Sequence, residues 1–238
     1  MRSAVSLLAL TALAAVLTAC GRDASRTDGA LSDTGQLVAM SGGAGGAANA
    51  CFRCHGLEGQ GDGVSTPRLA GLDAGYLHKQ IEDYALGVRY DPVMTPIAQR
   101  LDGESKRRVA VYYAAMTAPA VASVTVPPPA IWTTACASCH GAAGEGIGSA
   151  NPALSGQPAA YTVEQIKRWK TGKRRNDPRG VMATAVSGLS DRDVLAIATW
   201  LETRPAAPAP DSAAASVSAS GAAAARSAAS RGVRRPDR

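Results

Sequence analysis

The chain has 238 residues, 46% hydrophobic and 18% charged, with a formal net charge of +6, five Cys, three His, one Phe and three Trp. That length allows one average domain or two small ones. From Arg204 onward six Arg and two Asp supply +4 and residues 1–50 are balanced, so the segment between holds only +2, and no basic patch there argues for nucleic acid.

In chain order, residues 1–20 combine Arg2, an apolar run and small residues, the pattern of a secretory signal rather than a membrane span. Its end, Leu17-Thr18-Ala19-Cys20, resembles the bacterial lipobox, in which Cys20 is lipidated and becomes the new N-terminus. Gly21 in place of Asp points to the outer membrane. Residues 21–43 are small and polar and read as a tether. Two domains are expected at 44–117 and 130–204, joined by a Pro-rich linker at 118–129. Residues 205–238 are Ala, Ser, Pro and Arg, too poor in large apolar groups to offset the entropy of ordering, and read as a disordered tail.

An internal repeat fixes the domain count. Shifted by 85 residues, Cys51, Cys54, His55 and Gly56 fall on Cys136, Cys139, His140 and Gly141. Gly59, Gly61 and Gly63 fall on Gly144, Gly146 and Gly148, and Pro67, Leu69 and Gly71 on Pro152, Leu154 and Gly156. Tyr76, Gln80, Gly87 and Arg89 meet Tyr161, Gln165, Gly172 and Arg174. Beyond a three-residue insertion, Val93-Met94 meets Val181-Met182 and Tyr112 meets Trp200.

Both copies read as all-α. A first helix is expected at Gly45–Asn49 and Ile131–Ala135, the former lacking the aromatic that Trp132 supplies. A middle helix is expected from Ala74 to Leu86, with Leu77, Ile81, Tyr84 and Ala85 on one face, and from Pro158 to Lys170. Pro158 suits a helix start, and Gly87 and Gly172 suit helix stops. A last helix is expected at Gly103–Met116 and Ser190–Thr203, with Ser190 as N-cap.

Cys51-Phe52-Arg53-Cys54-His55 and Cys136-Ala137-Ser138-Cys139-His140 are both C-x-x-C-H, the signature of c-type haem attachment. One helical turn presents two thiols to the two vinyl groups of one haem, and the adjacent His lies beneath the iron. Two disulfides, a redox dithiol or half a zinc site are the competing readings, but each pair is followed at once by His and no further Cys or His completes a zinc tetrahedron. Of five Met, only Met94 and Met182 correspond across the repeat, each in an expected loop before the last helix. They are the candidate sixth ligands. Met40 falls in the tether, Met116 ends a helix, and His78 is an ordinary surface or packing residue.

With these motifs, Pro-x-Leu-x-Gly at 67–71 and 152–156, Tyr-x-x-x-Gln, and Gly-x-Arg before each Met, the chain resembles a two-domain class I cytochrome c of the cytochrome c4 type. The resemblance implies two covalent haem c groups, on Cys51 and Cys54 and on Cys136 and Cys139, with axial His55 and Met94, and His140 and Met182. It implies that the carbonyls of Pro67 and Pro152 hold the histidine Nδ1–H, that Tyr76, Tyr161, Arg89 and Arg174 lie near the propionates, and that Tyr112 and Trp200 are buried where the last helix crosses the first. His/Met ligation leaves no open iron position, so the expected function is electron transfer on the periplasmic side of a Gram-negative bacterium. A cytochrome bc-type complex or a dehydrogenase is the expected donor and a terminal oxidase or reductase the acceptor. A diheme peroxidase, a dehydrogenase's cytochrome subunit and a redox module docked by its basic tail are the alternatives.

Overall fold

The computed structural model describes residues 34–120, 125–177 and 179–206; the expected signal segment, Cys20 and nearly all of the tail lie outside them. Among the described residues every regular element is helical, and no helix is long and apolar enough to cross a membrane. The first half holds α1 (Gly35–Ser41), α2 (Phe52–His55), α3 (Ala74–Ala85), α4 (Met94–Gln99) and α5 (Gly103–Ala114). The second holds α6 (Ala130–Ala135), α7 (Ala137–His140), α8 (Ala159–Lys170), α9 (Val181–Val186) and α10 (Asp191–Glu202).

Local chemistry sets most of these boundaries. Asp73, Asp102 and Ser190 cap α3, α5 and α10, their side-chain oxygens accepting from Tyr76 N (2.8 Å), Ser105 N (2.7 Å) and Asp193 N (3.2 Å). At Ser190 the Asp193 carboxylate returns the bond to the Ser190 amide, a complete capping box. α3 and α8 end before Gly87 and Gly172, whose φ angles of 74° and 67° let the chain leave the helix.

In each half the middle helix packs on the last one, and a short N-terminal helix packs against that same last helix. One core gathers Val38, Leu72, Leu77, Leu101, Val109 and Tyr113. The other gathers Trp132, Ile166, Trp169, Val194, Ile197, Trp200 and Leu201.

Four expectations are corrected. The segment 21–43 is not tether throughout: from Thr34, whose hydroxyl accepts from Leu37 N at 3.1 Å, the chain forms α1 and buries Val38 and Ala39 against α5. The stretch expected as the first helix, Gly45–Asn49, falls instead in two 3-10 turns, Gly43–Gly45 and Ala47–Asn49. α1 goes unnoticed in the sequence because its seven residues carry too few apolar groups to show a period. Met94 and Met182 lie at the starts of α4 and α9, not in open loops. Finally, Tyr113, not Tyr112, is the buried aromatic of α5, and Tyr112 is only half-buried.

Candidate haem-binding sites

In α2 and α7 one turn of helix carries each C-x-x-C-H. His55 N donates to Cys51 O at 2.9 Å and His140 N to Cys136 O at 3.0 Å, so both thiols and the imidazole share a local frame. Among the described residues, no disulfide joins the four cysteines of these motifs. Burial pushes Cys51 and Cys136 up to about 11. A redox dithiol needs the opposite, a lowered thiol pKa.

Both histidines are buried. His55 Nδ1 lies 2.9 Å from Pro67 O and His140 Nδ1 2.9 Å from Pro152 O. Burial lowers both imidazole pKa values, although the proline carbonyls work the other way. A neutral ring donating from Nδ1 keeps the Nε2 lone pair for a metal, and the carbonyl fixes its orientation. The following loop is held by Gly61 N and Gly146 N, each donating to its own histidine carbonyl at 2.8 Å. Both glycines have φ of 80°, and a Cβ there would come within 2.4 Å of Thr66 O or Ala153 N. No other residue fits.

The methionines are positioned by acids two or three residues beyond each Gly-x-Arg. Asp91 Oδ1 accepts from Val93 N and Met94 N, both at 3.0 Å, and Asp177 Oδ2 accepts from Met182 N at 2.7 Å. Both methionines are half-buried. Cys136 and Met182 pack against the same second core, and Cys51 against the first.

Between the halves runs a buried polar seam with near two-fold symmetry. Arg89 donates from Nη1 to Gln80 Oε1 (2.8 Å) and from Nη2 to Tyr161 Oη (3.0 Å) and Gln165 Oε1 (2.8 Å). Arg174 donates from Nη1 to Gln165 Oε1 (3.0 Å), from Nη2 to Gln80 Oε1 (3.1 Å) and from Nε to Asn176 Oδ1 (2.9 Å). Arg89 stacks 4.6 Å over Tyr84 and Arg174 4.7 Å over Trp169. Asn176 Nδ2 also reaches Asp83 Oδ2 at 2.6 Å, and Gln157 exchanges two bonds with the Arg68 backbone at 3.0 and 2.9 Å. Arg168 bonds Asp91 at 3.4 Å, linking the second half to the acid that places Met94.

Both seam guanidinium groups are buried, and among the described residues none of their hydrogen-bond partners is an acid. Burial disfavours both charges. At Arg89 the phenols of Tyr161, Tyr84 and Tyr76 outweigh it and the pKa rises; at Arg174 burial and the like charge of Arg89 push it down. Buried cations without an anion are costly. A haem bringing two carboxylate-bearing propionates to each half fits this demand. The sequence marked Arg89, Arg174, Tyr76 and Tyr161, but not Gln157, Asp83, Asn176 or Arg68. The repetition of Gln80 as Gln165 was the available signal for a shared polar role.

A family model described as cytochrome c matches residues 41–118 and 129–205. A thiosulfate dehydrogenase electron acceptor of Stutzerimonas stutzeri (strain A1501) is 39% identical over 181 residues, covering 70% of this chain and 84% of the relative. Reduced cytochrome c4 from Pseudomonas stutzeri superposes with a TM-score of 0.60 at 26% identity, covering 71% of this chain and 96% of that one. A thiosulfate dehydrogenase of Marichromatium purpuratum matches with a TM-score of 0.62 at 35% identity, covering 72% of this chain. The present chain spans only 40% of that longer one. With a repeated C-x-x-C-H unit, two helical cores and these relatives, the chain belongs to the cytochrome c family as a two-domain, cytochrome c4-like electron-transfer protein with two covalent haem c groups.

Proposed function

We propose that this chain is a periplasmic two-haem carrier that takes electrons from a thiosulfate dehydrogenase and passes them to a terminal oxidase or reductase. The observation that carries the choice of donor is the 39% identity, over most of both chains, to a protein described as that enzyme's electron acceptor. Likeness to part of a thiosulfate dehydrogenase chain supports the same donor over a cytochrome bc-type complex.

In this reading Cys51 and Cys54 hold the first haem and Cys136 and Cys139 the second, with His55 and Met94, and His140 and Met182, as axial ligands. The haem supplies a reversible one-electron couple, raised by a thioether ligand. The protein keeps each imidazole neutral and aimed through Pro67 or Pro152, and fixes each methionine backbone through Asp91 or Asp177. Filled coordination makes the chain a carrier and not an enzyme. The lipobox-like Leu17–Cys20 supports a lipid anchor at Cys20, in the outer membrane by the Gly21 rule.

The test is direct. Thiosulfate with catalytic thiosulfate dehydrogenase should reduce both haems of the purified holoprotein, read at the ferrous α-band. Reduction by a cytochrome bc-type complex but not by the dehydrogenase would overturn the proposed donor.

A further inference from the structure

The carbonyl that orients each motif histidine belongs to a peptide group whose N–H lies on the next residue: Arg68 after Pro67, and Ala153 after Pro152. Those two amides meet different surroundings. Arg68 N donates to Gln157 Oε1 at 3.0 Å and Gln157 Nε2 donates back to Arg68 O at 2.9 Å, so a buried side chain of the second half closes on the backbone of the first. With an N–H and a C=O as partners, the Gln157 amide has only one satisfied orientation. Arg68 Nη2 donates to Ser155 O at 2.9 Å and steadies the same junction. Among the described residues the amide of buried Ala153 has no acceptor, and the first-half counterpart of Gln157 is Leu72, which has none to offer.

Together these bonds make a chain from His55 Nδ1–H to Pro67 O at 2.9 Å, through the Pro67–Arg68 peptide, to Gln157 Oε1. A peptide whose N–H donates carries more negative charge on its oxygen, so its carbonyl accepts more strongly, by roughly 10–30% per bond in such a chain. A stronger acceptor at Nδ1 makes the imidazole more basic at Nε2 and holds the ring harder. A more basic axial ligand stabilises ferric over ferrous iron. No proton leaves the ring; only the balance of the one-electron couple shifts. His140 has the same carbonyl bond, at 2.9 Å, without the second link.

We propose that Gln157 is a positioning residue for the haem of the other domain: through the Arg68 amide it tightens the Pro67–His55 bond and lowers the potential of the first haem, leaving the histidine of the second to its own carbonyl alone. This rests on His55 and His140 as iron ligands. A holoprotein that did not carry two reducible haems would fail that reading before any potential is compared.

The experiment is a redox titration, followed by NMR, of the full-chain holoprotein and of Gln157→Leu, which installs the residue found in the first half. Each haem's methyl signals are assigned through the thioether protons of its own cysteines, Cys51 and Cys54 or Cys136 and Cys139. Gln157→Leu should shift the ferric/ferrous equilibrium of the first haem about threefold toward ferrous, which is ~28 mV at 59 mV per tenfold, and leave the second haem unchanged. In the ferrous protein the His55 Nδ1 proton signal should move upfield while that of His140 stays. Arg68→Lys keeps the charge and the amide but loses the fork that grips Ser155 O, so it should lower unfolding stability without moving either potential. Should Gln157→Leu disturb folding, seen as altered haem bands or helicity, Gln157→Met keeps the length without an amide and should give the same two shifts. An unmoved first haem in a folded variant, equal shifts at both haems, or an equal shift of the first haem in Arg68→Lys would overturn the proposal and leave Gln157 as a fastener of the two halves.

Discussion

The two halves share one repeat yet solve the crossing of their first and last helices by opposite means. In the second half Trp132 and Trp200 meet at 5.0 Å, and their indoles donate to Ala142 O and Val126 O at 3.0 and 3.1 Å. Bulk fills the crossing. In the first half α1 arrives from farther upstream and crosses α5 at Gly35, where a Cβ would stand 2.1 Å from Arg108 O. There the crossing works by close approach, and its buried contribution comes from Val38 and Ala39. The comparison teaches that the repeat conserves the haem-facing apparatus, while the far side of each domain is free to be rebuilt. Less apolar surface is committed in the first half, so its stability should lean harder on its haem.

The largest effect expected is therefore haem loss. Cys51→Ala with Cys54→Ala should leave one haem per chain and unfold most of the first domain. Cys136→Ala with Cys139→Ala should also leave one, but retain more helix. Haem counting after denaturing electrophoresis and circular dichroism would check both, and equal helix loss would break the contrast. Next, Trp132→Ala should cost about 3–5 kcal/mol in denaturant unfolding, and Val38→Ala about 2 kcal/mol. Gly35→Ala should destabilise the first domain by about 1–3 kcal/mol, since the obstacle is backbone and cannot rotate away.

The methionine clamps should respond alike. Asp91→Ala and Asp177→Ala each remove the acceptor holding a methionine amide, at a cost of about 1 kcal/mol. Each should weaken the charge-transfer band of Met-ligated ferric iron by up to half. Met94→Ala and Met182→Ala should go further, each creating one carbon monoxide site and lowering one haem potential. Carbon monoxide binding by the unaltered protein would instead favour the peroxidase alternative.

The smallest effect expected is an acid sensitivity of the 61–67 loop that the corresponding loop of the second half lacks. Asp62 accepts from the Val64, Ser65 and Thr66 amides, each at 2.8 Å, where the second half has the exposed Ile147. Slight burial would raise its pKa, but the Val64, Thr66 and Ser65 donors hold it well below the usual carboxylate range. A depressed folded pKa stabilises fully above the unfolded value near 3.8 and is lost as pH falls through the folded value. Acid titration should thus loosen the 61–67 loop before its second-half counterpart, and Asp62→Asn should remove the difference between the two loops. Hydrogen exchange in the two loops below about pH 4 would show it.

Much of this architecture is legible without coordinates because it is local. The cap at Ser190 and the stops at Gly87 and Gly172 depend on a few neighbouring residues. α1 escaped notice because Leu37, Val38 and Met40 make too short a pattern, and its burial is set by α5, some seventy residues on. Tyr112 aligns with Trp200, but the rebuilt crossing turns the adjacent Tyr113 inward.

By itself, then, the sequence determined the duplication, the helical class, the two C-x-x-C-H units and the Pro residues that hold their histidines, all carried by fixed spacings along one chain. Only the tertiary structure decided that Gln80 and Asp83 face inward. Periodicity reports which side chains avoid water beside their own helix, whereas a buried polar group is stable only where donors from elsewhere meet it. Those donors, Arg174 and Asn176, lie more than ninety residues away and reach it when the two halves close.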